Sequence, residues 1–178
     1  MNCVVITGSP HRAGTTALLA DEFVRGASEA GHEVFRFDAA FEKIAPCLGC
    51  NRCRSGRCVH EDAMDALNPR LLAAETVVFV TPLYYFGMSA QIKRVIDRFY
   101  ANNEALREIP RRGILMAACH DAEDWAMEGL VAHYRAILRY LNWTDGGVVL
   151  AKACGTRGDV ENLEYPAQAY RLGRKLAP

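Results

Sequence analysis

Neither sign of charge is in excess: lysine plus arginine and aspartate plus glutamate each number 21 among 178 residues. Nucleic-acid-binding domains normally carry surplus positive charge, so no nucleic-acid partner is expected. The same balance argues against a strongly acidic carrier that docks its partners by charge. No apolar stretch approaches the roughly 18 residues needed to span a bilayer. The opening Met1-Asn2-Cys3-Val4-Val5-Ile6-Thr7 lacks the basic region and long apolar run of a secretory signal. The chain therefore reads as cytoplasmic, with no membrane contact. A hydrophobic share of 51% with zero net charge also disfavours disorder. The five histidines show no metal-ligand spacing. No Ser-His-Asp set or paired carboxylate stands out, so no catalytic side chain is singled out.

What the sequence does contain is alternation. Five apolar segments read as strands: Cys3 to Thr7, Glu33 to Asp38, Thr76 to Thr81, Gly113 to Cys119 and Gly147 to Ala153. Four are nearly continuous apolar runs, which suits a parallel sheet covered on both faces. The second interrupts its apolar residues with Arg36, as an edge strand does. Helical spacing lies between and after them. Ile92, Val95, Ile96 and Phe99 form one set. Met127, Leu130, Val131, Tyr134, Ile137, Leu138 and Leu141 form the longest. Further helices are expected over Thr15 to Ala30, Asp62 to Ala73 and Asp159 to Leu176. Such alternation implies an α/β, doubly wound parallel sheet in one domain over residues 1–178. Ligands of these sheets bind beyond the carboxyl ends of the strands. The loops after strands one, three and four are thus the candidates, together with a long cysteine-rich connection at about 39–61.

The loop after strand one reads Thr7-Gly8-Ser9-Pro10-His11-Arg12-Ala13-Gly14-Thr15-Thr16-Ala17. Small and hydroxylated residues there open a helix, and free amides plus the helix dipole make an anion site. His11 or Arg12 adds positive charge. The spacing matches neither the P-loop nor the dinucleotide fingerprint. It suits a terminal phosphate monoester, as in FMN. An ordinary turn capped by Thr15 or Thr16 would use the same residues. The loop after strand three, Thr81-Pro82-Leu83-Tyr84-Tyr85-Phe86-Gly87-Met88-Ser89, holds three consecutive aromatics at the ligand end. Pro82 and Gly87 are expected to stop the strand from simply continuing. A flat apolar ring, a lid or a subunit interface would each cover those aromatics.

Together, Gly8-Ser9-Pro10, Gly14-Thr15-Thr16, Thr81 through Lys93 and Ile96-Asp97-Arg98 resemble the NADPH-dependent FMN reductase and flavodoxin-like NAD(P)H oxidoreductase family, close to its iron–sulfur flavoprotein branch. The resemblance implies a flavodoxin-like sheet of order 2-1-3-4-5 with helices on both faces, binding FMN. Ser9, His11, Arg12, Thr15, Thr16 and Ala17 would hold the phosphate. Pro82, Leu83, Tyr84, Phe86, Gly87 and Met88 would line the flavin. Two positions depart from the family: many relatives have Arg where His11 stands and Asn where Thr15 stands. A weaker charge from His11 leaves Arg12 to compensate.

Cys47, Cys50, Cys53 and Cys58 form C-x2-C-x2-C-x4-C, four of the seven cysteines in the chain. Such spacing can aim four thiolates at a [4Fe–4S] cluster. Family members with this pattern include cluster-binding proteins and plain FMN reductases, so the other reading is reduced thiols packing a loop near the flavin or a dimer interface. The family chemistry runs from NAD(P)H through the flavin to a small acceptor: a quinone, a nitro or azo compound, or free flavin. The alternatives are an iron–sulfur flavoprotein with a ferredoxin-like partner and a non-catalytic FMN-binding sensor. The aromatic loop, Trp125 and Trp143 offer apolar surface for a homodimer or homotetramer.

Overall fold

Runs such as Val77-Val78-Phe79-Val80 suit only a strand buried on both faces, and the sheet is built around them. The computed structural model describes residues 1–55 and 57–176. The domain expected over 1–178 and the cysteine loop at 39–61 thus include Gly56, Ala177 and Pro178, which lie outside the described residues. The strands are β1 (Asn2–Thr7), β2 (Glu33–Asp38), β3 (Thr76–Tyr84), β4 (Gly87–Met88), β5 (Arg112–Ala118) and β6 (Thr144–Ala151). The helices are α1 (Thr15–Glu29), α2 (Met64–Ala73), α3 (Ala90–Arg98), α4 (Asn103–Glu108), α5 (Glu128–Leu141), α6 (Arg157–Glu161) and α7 (Glu164–Arg174). Strand order is β2-β1-β3-β5-β6, with the two-residue β4 folded back on β3. Counting only the five long strands, this is the expected 2-1-3-4-5 order, with the Arg36-bearing β2 at one edge. Among the described residues no helix is long and apolar enough to cross a membrane.

Strand pleating sorts the side chains into two cores. Val4, Ile6, Val77, Phe79 and Leu115 face one layer of residues from α2, α3 and α5. Cys3, Val5, Val78, Val80, Ile114 and Met116 face α1, α6 and α7. On that second side α1 and α7 cross at glycines. A Cβ on Gly26 would lie 2.2 Å from the Tyr170 carbonyl oxygen, and one on Gly173 would lie 2.3 Å from that of Phe23. The two backbones touch there, so neither position tolerates a side chain.

Three expectations need correction. Pro82 does not end the third strand, which runs on to Tyr84, and Pro82 pairs with Ala118. The reason is geometric. The Val80 carbonyl accepts Gly8 N–H on the β1 side, and residue 82 faces that same side, where β1 has already ended at Thr7. A missing N–H costs nothing there. The last helix, expected over Asp159 to Leu176, is two helices, because Pro166 is accommodated only in the first turn of a new one. Trp143 offers no surface: it is 6% exposed, stacks on Phe79 at 6.5 Å, and donates from Nε1 to Leu106 O at 2.8 Å.

The cysteine-rich connection contains one 3-10 turn, Arg52–Ser55, and is closed at its base. Asp62 accepts from Ala45 N and Met64 N, each at 3.0 Å. Arg98, on α3, donates to Asp62 Oδ2 at 2.7 Å and to Ala45 O at 2.9 Å. Arg94 holds Ile44 O at 3.1 Å. The Arg98 and Asp62 side chains are 3% and 9% exposed, so the pair is largely desolvated. Burial alone would raise the Asp62 pKa, but the Arg98 guanidinium and two amides hold it below the usual carboxylate value. Removing one partner strands the other charge. Arg98→Met is therefore expected to cost about 3 kcal/mol or more in urea unfolding. Adding Asp62→Asn to it should cost less than the sum of the two single changes. Because the folded pKa is depressed, this stabilisation is present at neutral pH. It disappears as acid protonates Asp62, below a pH of about 4. A wild-type and Arg98→Met pair whose stability gap stays constant from neutral pH down to acid would contradict this.

Candidate functional site

The carboxyl ends of β1, β3 and β5 converge on one rim, and a single buried serine joins two of their loops. Ser89 follows β4 and caps α3, accepting Ile92 N–H at 3.4 Å. Its hydroxyl donates to Gly8 O at 2.7 Å, across 81 residues of chain. Its own N–H donates to Thr81 Oγ1 at 3.0 Å. Gly8 N–H in turn reaches Val80 O at 2.8 Å. There is no room for a side chain at Gly8, since a Cβ would lie 2.4 Å from Ser89 Oγ.

Beyond Gly8 the chain bends through Ser9, whose Oγ accepts His11 N–H at 3.1 Å, and enters α1. Gly14 is the N-cap, and no side chain caps the helix. Capping by Thr15 or Thr16 is thus ruled out: both lie inside the helix. The first turn has no acidic residue, so its amides remain available to an anion. Ser9, His11, Arg12, Thr16 and Ala17 line one cleft, as the sequence suggested. Thr15 opens the helix and is not among the lining residues. The cleft measures about 70 Å³, several times the roughly 10–15 Å³ that one water needs, so a phosphate-sized anion fits.

Thr7, Arg36, Asp38 and Phe41 also line it, and sequence reasoning missed all four. Thr7 and Asp38 are register partners on β1 and β2. Thr7 Oγ1 donates to Asp38 Oδ1 at 2.6 Å, and Arg36 Nε donates to the same oxygen at 2.8 Å. Burial would lower the Arg36 pKa, but Asp38 and Asp21 hold it up, so the guanidinium stays charged. The expected strand order could have signalled Asp38. Nothing in the sequence signals Phe41, which sits in irregular chain with the Arg12 guanidinium 3.7 Å above its ring.

On the other side of Ser89, β3 and β4 form a hairpin whose turn is Tyr85-Phe86. Both have positive φ, 50° and 64°, a region unfavourable for bulky side chains. Three aromatics face outward at this hairpin: Tyr84 is 43% exposed, Tyr85 100% and Phe86 47%. Phe86 stacks on Trp125, from the loop after β5, at 5.0 Å. Trp125 is the rim partner that sequence reasoning placed only on an oligomer surface. Pro82 and Met88 are buried, with Met88 part of the core, while Leu83 and Gly87 are half-buried. In the third loop the Cys119 thiol donates to Asp121 O at 3.1 Å, and burial raises its pKa. His120 is exposed. Lys152 pairs with Asp124 across the rim.

The four clustered cysteines behave differently. Cys47 and Cys50 are exposed, and Cys53 and Cys58 half-buried. Among the described residues no three His, Cys, Asp or Glu side chains are grouped to hold a metal ion. As a donor set four thiols suit a [4Fe–4S] cluster, but as placed they do not fit one. The phosphate cleft and its uncapped helix do fit the phosphorylated end of a flavin.

A family model described as NADPH-dependent FMN reductase matches residues 1–153. An iron-sulfur flavoprotein of Methanocaldococcus jannaschii is 34% identical over 99 residues, 55% of this chain and 51% of that protein. The chain spans about half the length of the curated iron-sulfur flavoproteins it matches. An FMN-dependent NADH:quinone oxidoreductase of Leptothrix cholodnii is 29% identical over 129 residues, 64% of this chain and 62% of that one. Among solved structures, an azoreductase from Bacillus anthracis superposes with a TM-score of 0.74 at 18% identity, covering 99% of this chain and 100% of that one. At that identity the likeness is one of fold.

Ser89→Ala removes the cap of α3 and leaves Gly8 O without its buried donor. The expected loss is about 2 kcal/mol in denaturant unfolding. Amide exchange at Ile92 should become faster. Unaltered exchange at Ile92 would show that the serine does not hold the loops together.

Proposed function

Because the chain belongs to the NADPH-dependent FMN reductase family, we propose that it is an FMN-dependent oxidoreductase that passes electrons from NAD(P)H to a small acceptor. The observation that carries this reading is the rim itself. An uncapped helix start with a cationic cleft lies on one side of Ser89, and an outward aromatic hairpin lies on the other. Ser9, Thr16 and Ala17 present hydroxyls and amides to the phosphate, with Arg12 as the cation and His11 beside it, and Thr15 takes part only as the first residue of the uncapped helix. Pro82, Leu83, Tyr84, Phe86, Gly87 and Met88 border the flavin, Pro82 and Met88 through their backbone. Bound flavin supplies hydride chemistry between a nicotinamide and an acceptor. The chain's own part is to fix the ligand's two ends and to shield it from water.

The exposed faces of Tyr84, Phe86 and Trp125 suit a planar acceptor, such as a quinone, a nitro or azo compound, or free flavin. The fully exposed Tyr85 and half-exposed Trp125 give a second copy of the chain an apolar surface, supporting a homodimer or homotetramer. A monomer in light scattering at micromolar concentration would count against assembly.

A second reading has support of its own. The C-x2-C-x2-C-x4-C spacing and the iron-sulfur flavoproteins among the relatives favour a protein that also carries a [4Fe–4S] cluster and serves a ferredoxin-like partner. That reading requires the loop at 47–58 to close around the cluster. One experiment separates the two. Protein isolated without oxygen is assayed for iron and sulfide, loaded with FMN and mixed with NADPH or NADH. The leading reading expects bleaching of the flavin band and no stoichiometric iron. It also expects the same bleaching after Cys47, Cys50, Cys53 and Cys58 are all changed to Ser. Iron and sulfide in fixed ratio to the chain would favour the second reading. A flavin band that never bleaches would leave a non-catalytic FMN-binding sensor.

A further inference from the structure

We propose that Phe41 is a positioning residue for Arg12, and that this stacked pair gives the cleft its preference for a phosphorylated flavin over an unphosphorylated one. The inference rests on the FMN reading above and assigns a part of that site that no sequence motif marks.

The argument starts from charge. Four ionised groups stand at or beside the cleft: Arg12, Arg36, Asp38 and Asp21. Arg36 is already engaged, by Asp38 at 2.8 Å and by Asp21 at 2.5 Å. Arg12 has no carboxylate partner among the described residues and lines the same cleft. It is therefore the cation still available to an incoming anion. Arginine keeps its charge throughout the physiological range. The Asp38 carboxylate opposes a phosphate dianion, which makes one fixed cation more important.

Arg12 alone is poorly fixed. It lies exposed on the loop after β1, and an arginine gives up substantial rotamer freedom when it is held. Phe41 supplies the hold. Its ring lies 3.7 Å beneath the guanidinium carbon. The backbone beneath that ring is itself tied down, Phe41 N–H to Asp38 O at 3.0 Å and Ala39 N–H to Thr7 O at 2.9 Å. The chain leaving β2 is thus hooked onto the end of β1, and it presents an aromatic face to the cation. The ring covers one face of the guanidinium and leaves its N–H edges free, and those edges bind phosphate.

The test is binding of FMN and of riboflavin, which differ only in the phosphate, to flavin-free protein, followed by flavin fluorescence. Arg12→Ala is expected to weaken FMN about 10- to 100-fold. Phe41→Leu keeps an apolar side chain but removes the ring face, and should weaken FMN about 2- to 5-fold. Neither change should alter riboflavin binding, and Phe41→Tyr should restore the FMN value. Phe41→Leu should have no further effect once Arg12 is alanine. The salt dependence of FMN binding should be shallower in both single variants, a readout that needs no riboflavin titration. The proposal is overturned if Phe41→Leu leaves FMN affinity and its salt dependence unchanged, weakens both flavins equally, or adds fully to Arg12→Ala. Wild-type protein that binds no FMN would instead overturn the functional reading itself, and this inference with it.

Discussion

One hydroxyl sets the geometry of the rim. Ser89 is fully buried, and it joins the exit of β1, the exit of β3 and the start of α3 through Gly8 O, Thr81 Oγ1 and Ile92 N. A buried polar group is costly unless it is satisfied, and satisfied groups admit few alternative arrangements. The two loops are therefore held at one separation, whichever ligand lies across them. This explains why Gly8 carries no side chain: a Cβ would occupy the place of the Ser89 oxygen. It also explains how the hairpin can hold Tyr85 and Phe86 at positive φ. Their strain is opposed by a β3–β4 pairing that Ser89 anchors at its far end.

A chain with zero net charge can still hold an anion, because the field that matters is local. The cleft gathers an uncapped helix start and two arginines around one carboxylate. Asp38 keeps Arg36 in place, and Thr7 keeps Asp38 in place, so the β1 and β2 ends form a fixed floor. The charge still open to a ligand is Arg12, held against the Phe41 ring. Composition alone excluded a charge-driven partner surface, and it was silent on a site of this size. Both facts are consistent, since screening and distance make small sites invisible to net charge.

Much of the fold was legible because the sheet is buried on both sides. Continuous apolar runs locate β1, β3, β5 and β6, and the charged Arg36 correctly marks β2 as an edge. Helix α5 was legible for a similar reason: Leu130, Tyr134, Leu138 and Leu141 fall on one buried face. What failed were features decided by neighbours distant in sequence. Pro82 breaks a strand only if its missing N–H was needed, and that depends on where β1 stops. Trp143 reads as surface until Phe79 and Leu106 are seen around it. Five of the six residues expected to hold a phosphate line one cleft at the end of β1. Of its other wall, Arg36 and Asp38 come from a strand that had been assigned no functional part, and Phe41 from the chain that follows it.

The cysteine-rich connection follows from a separate constraint. Its base is closed by Asp62 and Arg98, together with the backbone of Ile44 and Ala45, and the Cys58 thiol also meets the Arg98 guanidinium. A loop whose fold came from its metal would need the thiolates to create the structure, as small zinc domains do. Here the ends are brought together by an ion pair set against α3. Arg54 on Tyr100, and Tyr100 on Asn51, tie that segment to the chain after α3 through polar contacts. The mount is set chiefly by that ion pair, with one of the four thiols, Cys58, beside it. The two functional readings are therefore separable at Cys47 and Cys50, which are exposed and take no part in the contacts of Ser89 or of the α1 start.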